Sequence, residues 1–358
     1  MSKETLTIIE GRNYPIFVGI GIMGQALGHL SLAKYPKISI LADNNTTTWM
    51  DQLKKNLGRS DIGEIIVPAG EESKQIARTE KIWLEMLESG MDRSSLLINL
   101  GGGMIGDLGG FAAASYMRGI DFLQIPTSLL AMVDASVGGK TAVDVGGVKN
   151  LVGSFKNPVA VIADVETVST LPSRELTSGF AEMIKHGVIK DRTHFEAVTF
   201  KRPQDFTEKE LLSLIVESIK IKLAVVKEDP VEKGPRKTLN FGHTIGHAVE
   251  SLSMRTDDPL LHGEAVAIGM VAESRLAGMM EILSEGEQVE IKKAIERTGL
   301  PTSIKGLDEG EVIEKLKTDK KNKAGRILWS LPKKIGQVGF DIEAPQELVV
   351  EAIRHIIV

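Results

Sequence analysis

Three of the seven histidines fall in two short motifs. Asn240-Phe241-Gly242-His243-Thr244-Ile245-Gly246-His247 sets two imidazoles at i and i+4, on one face of a helix, a spacing that can chelate a divalent ion. Leu261-His262-Gly263-Glu264 puts a third at the head of the next helical stretch. Upstream, Glu182 and Lys185 stand one helical turn apart, which suits an ion pair as well as a ligand. The chain has no Cys, so a zinc site must be built from His and carboxylates. The spacing supports a His/Glu metal centre without choosing its three ligands, and the H-E-x-x-H pattern of a metalloprotease is missing.

A second chemistry-bearing segment is glycine-rich. Gly101-Gly102-Gly103-Met104-Ile105-Gly106 satisfies G-x-G-x-x-G between a strand-like run, Ser95–Leu100, and a helical one from Asp107. Without Cβ atoms the backbone N–H groups can approach a pyrophosphate, whose charge a helix N-terminus also favours. The loop does not belong to the first strand–helix unit, and Asp121 opens the next strand instead of closing it. Asp43, which ends the run Ile38–Ala42, is the better reader of a ribose. Val137-Gly138-Gly139-Lys140 and Gly146-Gly147-Val148-Lys149-Asn150 each bring a Lys beside flexible backbone, which suits phosphate capture.

The elements that must position these groups change rhythm along the chain. Strand-like runs at Ile38–Ala42, Glu64–Val67, Ser95–Leu100, Phe122–Ile125 and Val159–Ala163 alternate with helical stretches near Thr46–Asn56 and Ser73–Glu88. That alternation predicts a mostly parallel sheet covered by helices. From Leu171-Pro172-Ser173 onward the pattern is helical, with Ser173 expected as an N-cap. Stretches near 207–228, 237–252, 263–281 and 285–298 follow, then a β-like pair, Arg326–Leu331 and Gln337–Phe340, and a last helix from about Pro345. The expected fold is an N-terminal α/β, Rossmann-like domain over 1–172 and a mostly α-helical domain over 173–358. At 358 residues two domains are the natural division. The net charge of −5 and the lack of a basic block argue against a nucleic-acid partner. No apolar run approaches a membrane span, Met1-Ser2-Lys3-Glu4 carries charge where an export signal needs an apolar stretch, and a cytoplasmic enzyme is expected.

At these residues the chain resembles the 3-dehydroquinate synthase family. The likeness runs through Gly101–Phe111, Pro126–Thr141, Phe180–Lys185, Arg236–Glu250 and Leu261–Met270, and includes Asp319-Lys320-Lys321, Leu331-Pro332 and Ile335-Gly336. It implies a dehydroquinate synthase-like fold, and Glu182, His243 and His262 as ligands of divalent zinc or cobalt, with His247 facing substrate instead. It implies NAD contacts at Asp43, Glu71, Lys74, Gly102, Gly103, Asp107, Thr127, Ser128, Lys140 and Lys149, with Thr170 and Leu171 near the nicotinamide end. Catalytic or substrate-binding roles fall to Asp134, Lys140, Lys185, His247, Asn150, Lys222, Arg236, Asn240 and one of Lys320 and Lys321. Arg118 is expected to reach the substrate phosphate across a homodimer interface. Pro230, Ser253–Leu260, Ser128 and Ala135 depart from the family's pattern.

The implied reaction converts 3-deoxy-D-arabino-heptulosonate 7-phosphate to 3-dehydroquinate and phosphate, with NAD reduced and reoxidised within one turnover. Two rival chemistries share these parts: a cyclase acting on sedoheptulose 7-phosphate, and a metal-dependent polyol dehydrogenase. Arg236, Asn240 and Lys222 favour a substrate that carries a carboxylate.

Overall fold

A computed structural model of the chain describes residues 6–317 and 327–358. It divides into two compact units, Met1–Leu171 with Glu208–Leu212, and Pro172–Thr207 with Ser213–Val358. Among the described residues no helix is long and apolar enough to cross a membrane.

The first unit is built on β1 (Thr7–Glu10), β2 (Pro15–Gly19), β3 (Ile38–Asp43), β4 (Ile62–Val67), β5 (Leu96–Gly101), β6 (Asp121–Pro126) and β9 (Ala160–Asp164). They form one sheet in the order β1-β2-β9-β6-β5-β3-β4, in which only β1 and β2 run antiparallel. Helices α1 (Met23–Gly28), α2 (Thr47–Leu57), α3 (Ile76–Glu88) and α4 (Gly103–Ser115) lie between them in sequence.

Every residue of β3, β5 and β9 is buried, which is why these strands read as predominantly apolar runs without polar alternation: helices cover both faces. Ile38, Ile40 and Ala42, with Leu96, Ile98 and Leu100, pack on Met23, Trp49, Met50 and Leu53 of α1 and α2. Leu41 and Leu97, with period-two alternation, turn to the other face and meet Ile82, Met86, Ile105 and Leu108 of α3 and α4. Each such side chain contributes roughly 1.5–3 kcal/mol on full burial. The α4 backbone sits so close to β5 that a Cβ at Gly109 would fall 2.0 Å from Asn99 Oδ1.

Two features escaped the sequence. The short strands β1 and β2 extend the sheet at one edge, and a hairpin, β7 (Lys140–Val145) and β8 (Val148–Phe155), replaces the flexible glycine segments. Gly146 and Gly147, both at positive φ (60° and 76°), make its two-residue turn.

The second unit contains α5 (Ser173–Lys190), α6 (Arg192–Val198), α7 (Glu208–Glu228), α8 (His243–Ser253), α9 (His262–Met279), α10 (Glu285–Arg297), α11 (Glu309–Lys317) and α12 (Gln346–Arg354), with a hairpin of β10 (Trp329–Lys334) and β11 (Gln337–Ile342). The first turn of α7 groups with the first unit. Pro172, not Ser173, is the N-cap of α5. The stretch expected as one helix over 237–252 is broken: a 3₁₀ turn, Pro235–Asn240, precedes α8, because Gly242 takes φ 78°. The first β-like run begins at Trp329, three residues later than expected.

Candidate active site

In the first unit the chain runs from β3 to β4 on one side and then places β5 on the other side of β3. The carboxyl ends of β3 and β5 therefore flank a topological switch point, where open parallel sheets bind ligands. Asp43 ends β3 and Gly101 ends β5. Gly102 is the N-cap of α4, whose first-turn N–H groups face outward from that strand end. A Cβ at Gly102 would make ordinary contact with Ser128 Oγ at 3.4 Å, so Ser128 borders this glycine at the head of α4. Thr127 N donates to Gly101 O at 3.0 Å and fixes the neighbouring loop.

Asp43 Oδ1 accepts from Asn45 N and Thr46 N at 2.9 and 3.1 Å, and Thr46 Oγ1 also bonds Leu100 O, tying the two strand ends together. Lys74, 4% exposed, meets Asp107 at 2.7 Å and Glu71 at 3.6 Å. Burial acts to lower the amine, but Asp107 and Glu71 outweigh it and hold Lys74 above the ordinary lysine range. Trp49 Nε1 donates to Thr170 Oγ1 at 3.1 Å, and Leu171 follows at the end of the unit. Asp134 lies in a π-helical turn, Ala131–Ala135.

The β7–β8 hairpin carries three more of the expected contacts. Lys140 opens β7 opposite Phe155, whereas Lys149 and Asn150 lie near the hairpin tip, where Asn150 N bonds Asp144 Oδ1 at 2.7 Å. About 13 Å of strand runs from Lys140 to Asp144, the residue that Asn150 N meets. Arg118 is exposed on a turn at φ 71°.

The second unit gathers the metal-type donors. Glu182 and Lys185 lie on α5, both nearly inaccessible, and Lys185 Nζ contacts Glu182 Oε2. The other oxygen, Oε1, stands 3.5 Å from His243 Nε2 and 3.7 Å from His262 Nε2. Donors held at about 2.0–2.2 Å around a tetrahedral ion lie roughly 3.4 Å from one another. Both distances from Glu182 Oε1 fit one coordination sphere, the three donor atoms all lie within 4.8 Å of one another, and one O and two N donors suit zinc or cobalt. Burial works against the charged imidazole of His262, yet Glu250 and Glu182 together push it up to about 10, so the cluster attracts positive charge.

Local structure aims these groups. His243 and His262 are the first residues of α8 and α9, and His243 Nδ1 lies 3.2 Å from Phe241 O. With Nε2 on the ligand side, Nδ1 carries the proton and donates to that carbonyl. The N–H groups of Gly242 and Ile245 donate to the buried carboxylate of Glu273, on α9, at 2.6 and 3.1 Å. Glu264 accepts from Leu261 N at 2.8 Å and pairs in two bonds with Arg174, which anchors the start of α9 to α5. His247 stacks edge-on against His243, centroids 5.1 Å apart, but among the described residues no donor grouping contains both. A second grouping joins His247 to Glu250 and His262.

Beside this cluster, Asn240 Nδ2 donates to Glu232 Oε1 at 2.8 Å, and Arg236 Nη1 donates to Pro230 O at 2.7 Å. Pro230, one of the departures from the family's pattern, meets Arg236 through its backbone carbonyl. Asp229 accepts from Lys233 N and Gly234 N and shapes the loop. Lys222 is buried on α7. Lys320 and Lys321 lie outside the described residues. Glu232, Glu250 and Glu273 were not singled out in the sequence; only Glu250, seven residues after His243 on the same helical stripe, left a local signal.

A parallel sheet with a glycine crevice at its switch point, joined to helices that converge one carboxylate and two imidazoles, defines a two-unit class of α/β-plus-helical enzyme. Residues 64–178 match the 3-dehydroquinate synthase N-terminal family and residues 179–322 the 3-dehydroquinate synthase C-terminal family. A 3-dehydroquinate synthase from Ruminiclostridium cellulolyticum is 40% identical over 343 residues, 94% of each chain. The chain belongs to the 3-dehydroquinate synthase family. Among solved structures, 2-deoxy-scyllo-inosose synthase with carbaglucose-6-phosphate, NAD+ and Co2+ shares the fold at a TM-score of 0.90 and 24% identity, covering 98% of this chain and 100% of that one. The 2-epi-5-epi-valiolone synthase of Streptomyces hygroscopicus, with NAD+ and Zn2+ bound, matches at 0.86 and 24%, covering 98% and 99%.

Proposed function

We propose that the chain catalyses the 3-dehydroquinate synthase reaction, a phosphorus–oxygen lyase step in the shikimate route to aromatic amino acids: 3-deoxy-D-arabino-heptulosonate 7-phosphate yields 3-dehydroquinate and phosphate. The observation that carries this reading is the convergence of Glu182, His243 and His262 beside Lys185, in a chain 40% identical to a 3-dehydroquinate synthase along its length. NAD and a divalent zinc or cobalt ion, both named in fold relatives, would supply a reversible hydride acceptor and Lewis-acid polarisation of a substrate hydroxyl oxygen.

The first unit would hold the dinucleotide: Gly102 and Gly103 at the pyrophosphate, Asp43 at a ribose, and the Lys74–Asp107–Glu71 group, Thr127 and Ser128 around them. Thr170 and Leu171 would lie toward the nicotinamide, and Lys140 and Lys149 along the same surface. In the second unit Glu182, His243 and His262 would hold the ion. Arg236 fits the substrate carboxylate because its guanidinium can bind in two parallel bonds. Asn240, Lys222 and Lys320 or Lys321 would fix hydroxyls and the carboxylate.

Oxidation of the ring hydroxyl, its hydride passing to NAD, would make the adjacent C–H acidic so that phosphate leaves by β-elimination. Return of that hydride, ring opening and intramolecular aldol addition would then give 3-dehydroquinate with no net redox change. The departing phosphate can take the C–H proton itself, so Asp134, Lys185 and His247 serve as proton-holding and orienting groups. Arg118, Lys140 and Asn150 would grip the phosphate, Arg118 from the partner of a homodimer, and the enzyme would work in the cytoplasm.

The test is phosphate release from the heptulosonate, with and without chelator. Rapid, chelator-sensitive release without net NADH supports the assignment. Release from sedoheptulose 7-phosphate alone, or steady NADH production from a polyol, would replace it with a rival.

A further inference from the structure

Helix α8 presents three polar side chains along one stripe: His243, His247 at i+4 and Glu250 at i+7. The first two belong to the site already described. Glu250 is 4% exposed and has so far been given no part, yet its Oε2 lies 3.5 Å from His262 Nδ1. The opposite ring nitrogen, Nε2, is the one that faces Glu182. His262 is thus held between two carboxylates, one on each nitrogen.

The second imidazole of the cluster has the same arrangement. His243 turns Nε2 toward Glu182 and Nδ1 toward Phe241 O at 3.2 Å. Its orienting acceptor comes from its own chain two residues away. His262 opens α9 directly after Leu261, and its Nδ1 is met instead by a carboxylate on another helix. A neutral imidazole that gives Nε2 to an ion must carry its proton on Nδ1, and an acceptor there fixes both the tautomer and the ring plane.

We propose that Glu250 is a positioning residue for the metal centre: it accepts from His262 Nδ1–H and holds Nε2 on the side of Glu182 and His243. This rests on the reading of Glu182, His243 and His262 as the ligand set. It also explains why a carboxylate stays buried on α8 beyond the two histidines, where the helix otherwise turns Ala248, Val249 and Leu252 inward.

Two explanations of the same contact make opposite predictions. If Glu250 acts by supplying an acceptor at the right reach, Glu250→Gln keeps that oxygen in place, whereas Glu250→Asp withdraws it by about one C–C bond length. If it acts only through its charge, Asp is the better substitute. The experiment titrates metal-stripped protein with Co2+ and follows the visible d–d absorption, which reports ligand geometry, in wild type, the Gln, Asp and Ala variants, and Leu252→Ala as a packing lesion on the same helix. The expected order of Co2+ affinity is wild type, then Gln within about tenfold, then Asp and Ala 10–100-fold weaker with an altered absorption band. Leu252→Ala should lower the melting temperature and leave the band unchanged.

Asp equal to or better than Gln would overturn the proposal, and so would an unchanged band and affinity in Asp and Ala. Should Ala fail to fold, the comparison of Gln with Asp decides alone. A wild-type protein that binds no Co2+, or a His243→Ala variant that binds it normally, would instead remove the ligand set itself.

Discussion

Glu273, wholly buried on α9, accepts the N–H of Gly242 at 2.6 Å, and Gly242 is the residue immediately before His243. The N-cap of α8 has no side chain of its own, so a carboxylate 31 positions away in sequence does the capping. The negative charge also sits where the dipole of α8 favours it. A single carboxylate thereby ties the start of one ligand-bearing helix to the body of the other.

Glu273→Ala should therefore destabilise the protein by about 3 kcal/mol, since it leaves buried donors at Gly242 and Ile245 without their acceptor. In a unit of this size that corresponds to a fall of about 6–12 °C in melting temperature. Thermal unfolding measures it. A loss under about 1 kcal/mol would show that the helix start is held by packing alone.

The α8–α9 contact makes a second prediction. A Cβ at Gly269 would lie 1.9 Å from Gly242 O and 2.8 Å from Gly246 N, both backbone atoms that cannot swing aside. Gly269→Ala should cost about 1–3 kcal/mol or more through overpacking, and should lower metal affinity with it. Gly286, in the first turn of α10, has nothing within 4 Å of its missing Cβ and no positive φ. Gly286→Ala should stabilise by about 0.4–1 kcal/mol. Urea midpoints of the two variants should move in opposite directions.

How much of this was readable beforehand depended on sequence distance. The buried parallel strands announced themselves because ISILAD and LLINLG are mostly apolar on both faces, and the glycine loop because its spacing is local. β1 has only four residues, too few for alternation to register, and β7–β8 was hidden among glycines whose turn role depends on φ. α6 follows α5 across the single residue Asp191, so the helical rhythm gave no break. At the site, the His motifs and Glu182 stood out by type, but which imidazoles stand beside Glu182 depends on α5 and α9, not on α8 alone. Glu273 gave no signal, because its partners are backbone N–H groups of another helix.

In the first unit, Lys74→Met should weaken NAD binding at least tenfold and lower stability by about 3 kcal/mol, because it strips Asp107 and Glu71 of a buried partner. Calorimetric titration with NAD and a melting curve check the two effects separately. Unchanged NAD affinity would remove the Lys74 group from the cofactor surface.

His243→Ala should abolish tight metal binding and phosphate release while far-ultraviolet circular dichroism stays near that of wild type. Stoichiometric metal with near-normal turnover would take His243 out of the ligand set.

The last prediction concerns acid. His194, 4% exposed near the start of α6, is pushed down to about 4 by burial, against the pull of Asp191 and Glu217. In the unfolded chain it titrates near 6.5. Because the folded value is the lower one, the contribution is fully present above about pH 6.5 and is lost as pH falls toward 4. At pH 5 the unfolded imidazole is mostly protonated and the folded one mostly neutral, which amounts to about 2 kcal/mol. His194→Gln cannot take up that proton. The drop in unfolding free energy between pH 7 and pH 5 should thus be about 2 kcal/mol larger for wild type than for the variant. Equal drops would mean that His194 is already solvated, or already charged, in the folded protein.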